Sequence, residues 1–405
     1  MRILLISSII PYPPTDGGRI NIYYPLKHLA ARGHDITLAC LSDRPDAESV
    51  RHLESMCRVE LHLFKKRALV PWALFSIASP RSFNLGRYDV PEFRQKVIAF
   101  AREGRYDVVE VALSTAGYGL DIRRELGTPV VQRVHNVHWV NIDRMNSASK
   151  NPVARLFLRN ETRKTRREEV ELAVQVDLNL TVSDHDAEML RKDDARIRCV
   201  TIPAGVALSG SHVEHGKEEP RSILWMGSLG WPPNQDSFWW FYREIFPDLV
   251  RRDSRVRLVV AGSNPPEDIL NIRQHNVEIL GYVEDLRSVI RRCQVCVVPL
   301  RIGSGIRLKL LEMFAERRAV VSTSIGCEGM GVEDGTHLLI ADDPAGFAGA
   351  VLRLLDDDQL RAALGDRARR HVELLYDWEK IAVQYEDAYR SVVGPGAGGR
   401  EALLR

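Results

Sequence analysis

The chemistry-bearing residues cluster most densely between residues 295 and 316, which read as strand, glycine loop and helix. Gly303 and Gly305 let the backbone approach a ligand closely. The helix that follows offers free N–H groups and the positive end of its dipole to an anion. Arg307 and Lys309 add two cations beside that anion, and Glu312 lies three residues beyond Lys309 on the same helix face. A carboxylate one to two turns from a phosphate site can accept both hydroxyls of a ribose. These parts make a cradle for a sugar nucleotide, with the diphosphate on Gly305, Arg307, Lys309 and the helix start, and the ribose on Glu312. The plainer alternative is a tight turn and nothing more. It leaves unexplained why two cations crowd the positive end of a helix, where they are mildly unfavourable without an anion.

Other segments sit at strand ends, where catalytic and binding groups belong in open α/β sheets. Asp16, Gly17 and Gly18 follow the first apolar strand and precede a helix, as a phosphate or an acceptor hydroxyl requires. A plain turn is the alternative. His135 and Asn136 follow the apolar run 129–134, with His138 and Trp139 just beyond. The chain has twelve histidines, so position alone does not single His135 out. Leu280, Gly281, Tyr282 and Val283 close a short strand, and Glu328, Gly329 and Met330 follow another. Cys293 and Cys296 form one CxxC with no second pair or histidine pair to complete a zinc site. With six scattered cysteines in 405 residues, a reducing compartment is expected.

The elements that must position these residues follow from hydrophobic patterning. Strands are expected at 2–9, 35–41, 106–111, 129–134 and 178–182, then at 222–226, 256–261, 277–280, 295–299 and 319–323. Helices are expected at 20–32, 235–246, 286–292 and 306–316, with a last one around 378–392. Short runs too apolar for one-sided exposure, alternating with helices, indicate parallel strands covered on both faces. The polar, aperiodic stretch 206–221 reads as a linker between domains 1–205 and 222–375. Residues 376–392 form a terminal helix, and the glycine-rich 393–405 reads as a mobile tail. A net charge of +2 gives no global field for nucleic acid. The N-terminal MRILLISSIIPYPP reads as a buried strand rather than a signal peptide, and no run reaches the roughly 20 apolar residues of a bilayer span.

The block GSGIRLKLLEMFAERRAVVSTSIGCEGM resembles the donor-binding segment of the retaining, GT-B-fold glycosyltransferases of family 4. Within them it is most similar to the bacterial branch acting on exopolysaccharide and cell-surface glycans. The resemblance covers nearly the whole chain, through segments 13–18, 133–136, 202–206, 225–234, 280–283 and 303–330, and Trp378. It implies two Rossmann-like domains facing across a cleft, with the terminal helix crossing back to the first. It also implies glycosyl transfer from a nucleoside diphosphate sugar to an acceptor hydroxyl with retention of configuration and no metal. The second domain would hold the donor and the first the acceptor. By resemblance, His135 sits near the reacting carbon, Gly17 and Gly18 face the donor, and the backbone of Gly281 and Val283 lies against the base. Glu312 matches the second of two glutamates separated by seven residues in the family; the first falls on Ser304, which leaves the sugar contact to Ser304 and neighbouring amides. Ser228 and Asn234 stand where many relatives carry Arg and Lys. Charge neutralisation therefore shifts to Arg307 and Lys309. His135, Lys309 and Glu312 are thus the expected catalytic set. Gly17, Gly18, Ser228, Asn234, Gly281, Val283, Gly303, Ser304, Gly305 and Arg307 are the expected donor-binding set.

Residues 64–83 carry three consecutive cations and then an apolar stretch, and 158–169 adds a basic run. Peripheral contact with the inner face of a membrane and an ordinary amphipathic surface both fit. The expected location is cytoplasmic. Rival readings are a nucleotide-sugar epimerase of the same fold and a non-catalytic donor-binding partner subunit. No GxGxxG follows the first strand, which disfavours a nicotinamide-dependent dehydrogenase.

Overall fold

The computed structural model describes residues 1–43, 45–64, 79–149, 151–208, 218–303 and 306–394. It divides into two compact units, residues 1–204 with 378–405, and residues 205–377. The first holds a seven-stranded parallel sheet of β1 (Arg2–Ser7), β2 (Asp35–Ser42), β3 (Arg58–Leu63), β4 (Val108–Ala112), β5 (Val130–Val134), β6 (Leu178–Thr181) and β7 (Cys199–Thr201). Their order is 3-2-1-4-5-6-7. The second holds a six-stranded parallel sheet of β8 (Glu219–Met226), β9 (Arg257–Ala261), β10 (Val277–Gly281), β11 (Cys293–Val298), β12 (Ala319–Ser322) and β13 (Leu339–Ile340), in the order 10-9-8-11-12-13. Both are doubly wound α/β sheets, the architecture of the GT-B fold. The central strands are Val-, Ile- and Leu-rich and fully buried, as sheets covered on both faces require.

Each sheet reverses its winding once, between β1 and β4 in the first unit and between β8 and β11 in the second. The loops after those strands flank the position where such sheets bind ligands. They contain Asp16–Gly18, Gly227–Trp231 and the approach to Arg307.

Several boundaries differ from the sequence expectation, each for a local reason. The helix after β1 starts at Gly17, because Asp16 caps it by accepting the Arg19 N–H at 3.0 Å. The helix expected at 235–246 begins at Pro232, where proline is well suited to a first turn, and runs through a π-helical turn (Phe241–Ile245) to Arg252. The helix expected at 306–316 is Leu308–Ala315, so it starts at the residue after Arg307. Strand β8 begins at Glu219, inside the stretch read as linker; of that stretch, 209–217 lie outside the described residues. Strands β3, β7 and β13 escaped the sequence reading because they lie toward sheet edges, where burial is partial and the apolar run breaks.

The helix Trp378–Val392 belongs to the first unit. Trp378 stacks on Tyr24 at 5.2 Å, and the Glu386 carboxylate accepts from Arg32 Nε at 2.7 Å. Tyr389 donates its hydroxyl to the buried Glu110, and Tyr385 lies beneath the Arg133 guanidinium at 5.4 Å. Among the described residues no helix is long and apolar enough to cross a membrane.

Candidate functional site

In the second unit, the end of β8 is built for a close approach. Gly227 adopts φ +154°, and a Cβ there would stand 2.7 Å from Lys309 Nζ and 2.9 Å from Asn234 Nδ2. The space a side chain would take is occupied by these two polar groups. Asn234, in the first turn of the helix Pro232–Trp240, donates its amide to the Ser228 carbonyl at 2.8 Å and accepts from Lys309 Nζ at 2.9 Å. Lys309 also lies over the Trp225 ring at 5.3 Å, a cation–π contact. The structure thus brings together Ser228, Asn234 and Lys309, although 75 residues separate the last two.

The Lys309 ammonium is held down to about 7, chiefly by burial and then by the neighbouring Arg307 charge. Glu312, one turn on, is pushed up to about 7, again chiefly by burial, with Arg287 and Lys309 opposing. Both side chains keep partial solvent contact. An ammonium and a carboxylate poised near neutrality at the start of one helix form a pair that an incoming anion would repolarise.

Arg307 is anchored by a backbone contact. Its guanidinium is buried and donates to the Ile325 carbonyl at 3.1 Å, and it packs beneath Gly303, where a Cβ would meet Nη2 at 3.0 Å. It fastens the turn after β12 to the glycine loop, so a share of its hydrogen-bonding capacity is committed there. Ser304 and Gly305 lie outside the described residues. Gly281 takes φ +67° at the end of β10, and its carbonyl accepts from Gly262 N at 2.8 Å. Val283 packs into the hydrophobic cluster under the sheet, while Tyr282 stays 65% exposed. Gly262 was missed by the sequence reading. A Cβ on it would fall 1.9 Å from the Gly227 carbonyl oxygen, so it is the floor against which the β8 turn rests. The available signal was its place directly after β9.

In the first unit, a cavity of about 290 Å³ opens at the C-terminal ends of β1, β4 and β5, and Ser7, Gly18, Arg133, His135, Asn136 and His138 line it. Burial, then Arg133 and His138, push the His135 imidazole down to about 3, so it is neutral at physiological pH. His135 Nδ1 and Asn136 Oδ1 are buried without a hydrogen-bond partner among the described residues. Such groups suit a neutral, hydroxyl-bearing ligand. The Gly17 carbonyl accepts from Asn21 Nδ2 at 2.8 Å, and Asn21 Oδ1 accepts from Arg133 Nη2 at 3.1 Å. The buried Arg133 thereby ties the glycine turn to the strand that carries His135. The Asp16 carboxylate already caps this helix start, which disfavours a phosphate there and favours a hydroxyl.

The backbones of His138 and Trp139 also brace the fold. Their backbone N–H groups point at the buried Glu169 carboxyl, at 3.2 and 3.4 Å, and burial raises that carboxyl to about 8. Cys293 and Cys296 are buried in an apolar cluster, and burial pushes the Cys293 thiol up to about 11, so both behave as core residues.

Two family models match consecutive parts of the chain. One, described as Glycosyltransferase Family 4, matches residues 16–209, and another, described as Glycosyl transferases group 1, matches residues 220–357. An uncharacterized 44.6 kDa protein in the cps region of Klebsiella pneumoniae is 22% identical over 395 residues, 94% of this chain and 97% of that one. The phosphatidyl-myo-inositol mannosyltransferase of Mycolicibacterium smegmatis is 30% identical over 209 residues, 49% of this chain and 53% of that one. Among solved structures, HepE of Anabaena in complex with UDP superposes with a TM-score of 0.69 at 15% identity, covering 96% of this chain and 100% of that one.

Proposed function

The chain belongs to glycosyltransferase family 4, with the GT-B fold, and from that premise we propose a specific reaction. The protein moves a sugar from a nucleoside diphosphate sugar to a hydroxyl of a glycan or lipid-linked acceptor, with retention of configuration, in the synthesis of cell-surface polysaccharide. The observation that carries the donor half is the meeting of Lys309 and Asn234 beneath Gly227, at the winding reversal of the second sheet. The diphosphate lies against Lys309 and the start of the helix Leu308–Ala315, the ribose against Glu312, and the base along the backbone of Gly281 and Val283. Arg307 holds the backbone of Gly303 toward the phosphates; Ser304 and Gly305, expected from the sequence to contact phosphate and sugar, lie outside the described residues. Fixed N–H groups and the ammonium stabilise the leaving diphosphate, the work a divalent metal does elsewhere. The acceptor lies in the first unit, where the neutral His135 and Asn136 orient hydroxyls. A UDP-bound neighbour and a mannosyltransferase relative support this reading.

The test is thermal stabilisation by a panel of nucleotides and nucleotide sugars, since a ligand selective for the native state raises the melting temperature. One base should stand out and its diphosphate sugars should stabilise most. A flat panel, with EDTA present or with Mg²⁺ added, would sink the reading. Within that panel, Glu312→Ala is expected to lose roughly tenfold in affinity for the ribonucleotide. For the 2′,3′-dideoxynucleotide, which has neither ribose hydroxyl, wild type and variant should bind nearly alike; an equal loss on both would place Glu312 away from the ribose.

We place the protein in the cytoplasm, at the inner face of a membrane. The helix Pro152–Gln175 begins with Val153 and Leu156, 76% and 73% exposed, and Leu156, Arg159 and Arg163 follow one another along one face. Most of the segment 64–83 lies outside the described residues. Co-sedimentation with anionic liposomes is expected at low salt and should fall for the double variant Arg159→Glu, Arg163→Glu. No binding at low salt removes the proposal.

A further inference from the structure

A second cavity of the first unit, about 320 Å³, lies among the turn after the helix Phe83–Gly86, the helix Ala116–Leu126 and the later turns of Pro152–Gln175. Leu85, Tyr88, Leu113 and Ser114 line both it and the His135 cavity, so the two adjoin. Ser114 marks the junction, donating its hydroxyl to Ser8 of the His135 cavity at 2.9 Å.

The wall carries charges in alternation. Arg81 meets Asp89 at 2.6 Å, Asp89 meets Arg94 at 2.8 Å, Arg94 also pairs with Asp121, and Asp121 meets Arg124 at 3.2 Å. Asp89 and Asp121 are answered by guanidinium groups, Glu171 lies 3.8 Å from Arg167, and Glu168 accepts from Ser82 N at 3.0 Å, so the wall has many donors and acceptors and a slight excess of carboxylate. It offers no excess cation to a phosphate or to an acidic sugar. Carboxylates and guanidinium groups held at fixed spacing match vicinal hydroxyls. Each cavity sits near the lower limit of small-molecule sites, of order 300 Å³. Together they suit two consecutive sugar residues.

We propose that this cavity is a second acceptor subsite, and that the acceptor is a neutral oligosaccharide. Its terminal residue occupies the His135 cavity and its preceding residue lies against Asp89, Asp121 and Arg124. This rests on the reading that the first unit holds the acceptor. It goes further by fixing the acceptor's minimum length and charge.

Gly117 provides the means of testing it. It lines the second cavity only, and a Cβ built on it meets a single atom within 4 Å, Arg94 Nη2 at 3.9 Å. Gly117→Leu therefore enters open space, and the exchange favours the helix by up to about 1 kcal/mol. The probe is an array of neutral and acidic glycans of one to six sugars. It is read with the full-length protein in the presence of whichever nucleoside diphosphate stabilises it most. Wild type should retain neutral glycans of two sugars or more. Gly117→Leu should retain them at least tenfold less, with its melting temperature and nucleotide shift preserved. Arg124→Ala, a largely exposed change, should lose several-fold. Equal retention by wild type and Gly117→Leu overturns the subsite. So does equal binding of monosaccharides, a preference for acidic glycans, or no retained glycan. If instead no nucleotide shifts the melting temperature, the donor reading fails, separately from the subsite.

Discussion

Lys309→Ala is expected to lower nucleoside diphosphate affinity by roughly 10- to 100-fold, the worth of about 1.5–3 kcal/mol for a hydrogen bond to a charged group. The loss should come without loss of stability. In the free protein the ammonium is already held down to about 7, so folding gains little from it, and alanine should leave the melting temperature unchanged or raised. The pH dependence follows by sign. A bound diphosphate favours the charged ammonium and raises its pKa above about 7. Binding above that pH therefore takes up a proton, and affinity falls as pH rises. Glu312 works from the other side. Its carboxyl is pushed up to about 7 and must ionise to accept the ribose hydroxyls, so affinity falls as pH drops below neutrality. Wild type should show a bell centred near neutrality, with macroscopic limits that belong to the pair. Lys309→Ala should flatten the alkaline limb and Glu312→Gln the acid limb. Calorimetry in two buffers of different ionisation enthalpy reads the proton uptake directly. Unchanged affinity in Lys309→Ala, with no buffer dependence in wild type, would overturn the assignment.

The same residues show what could be seen in the sequence and what could not. Central strands such as β4, β5, β11 and β12 are continuous apolar runs because both faces are covered, so composition alone marks them. Sheet order is not written in any run. It follows from crossovers, and only it places the β8 and β11 loops side by side. Lys309 and Asn234 were each singled out, one as a cation and the other as the residue standing where a cation was expected. Their 2.9 Å hydrogen bond explains the departure, since the asparagine carbonyl steadies the lysine that carries the charge. Spacing cannot reveal a contact across 75 residues. Arg307 was legible as a cation beside the glycine loop; its bond to the Ile325 carbonyl was not, because a backbone group has no signature in side-chain types. His135 was legible as a strand-end residue. Its neutrality was not, because that depends on burial beside Arg133.

Gly262→Ala, at a residue unmarked among 28 glycines, is expected to be among the most damaging single-methyl changes in the second unit. The new Cβ would stand 1.9 Å from the Gly227 carbonyl oxygen and 2.9 Å from its carbon, and a backbone carbonyl cannot swing aside as a side-chain tip can. Three strand ends are stitched at this point. Gly227 N donates to the Ala261 carbonyl at 3.0 Å, and Gly262 N donates to the Gly281 carbonyl at 2.8 Å. Any retreat of Gly227 therefore strains β8 against β9, and any retreat of Gly262 strains β9 against β10. Overpacking of this kind costs about 1–3 kcal/mol, and more where backbone must move. The functional loss should exceed the loss of stability. Gly227 at φ +154° is the turn beneath which Asn234 and Lys309 meet, and a displaced turn separates the ammonium from its partner even in molecules that stay folded. Urea unfolding should show a lower midpoint, and nucleotide titration under strongly native conditions should still show at least tenfold weaker binding. Gly349→Ala is the control: that glycine lies within the helix Pro344–Asp356 with nothing within 4 Å of a built Cβ, so it should gain up to about 1 kcal/mol and bind nucleotide like wild type. If Gly262→Ala matches that control in both measurements, the turn after β8 is not braced by Gly262, and the nucleotide site does not depend on its position.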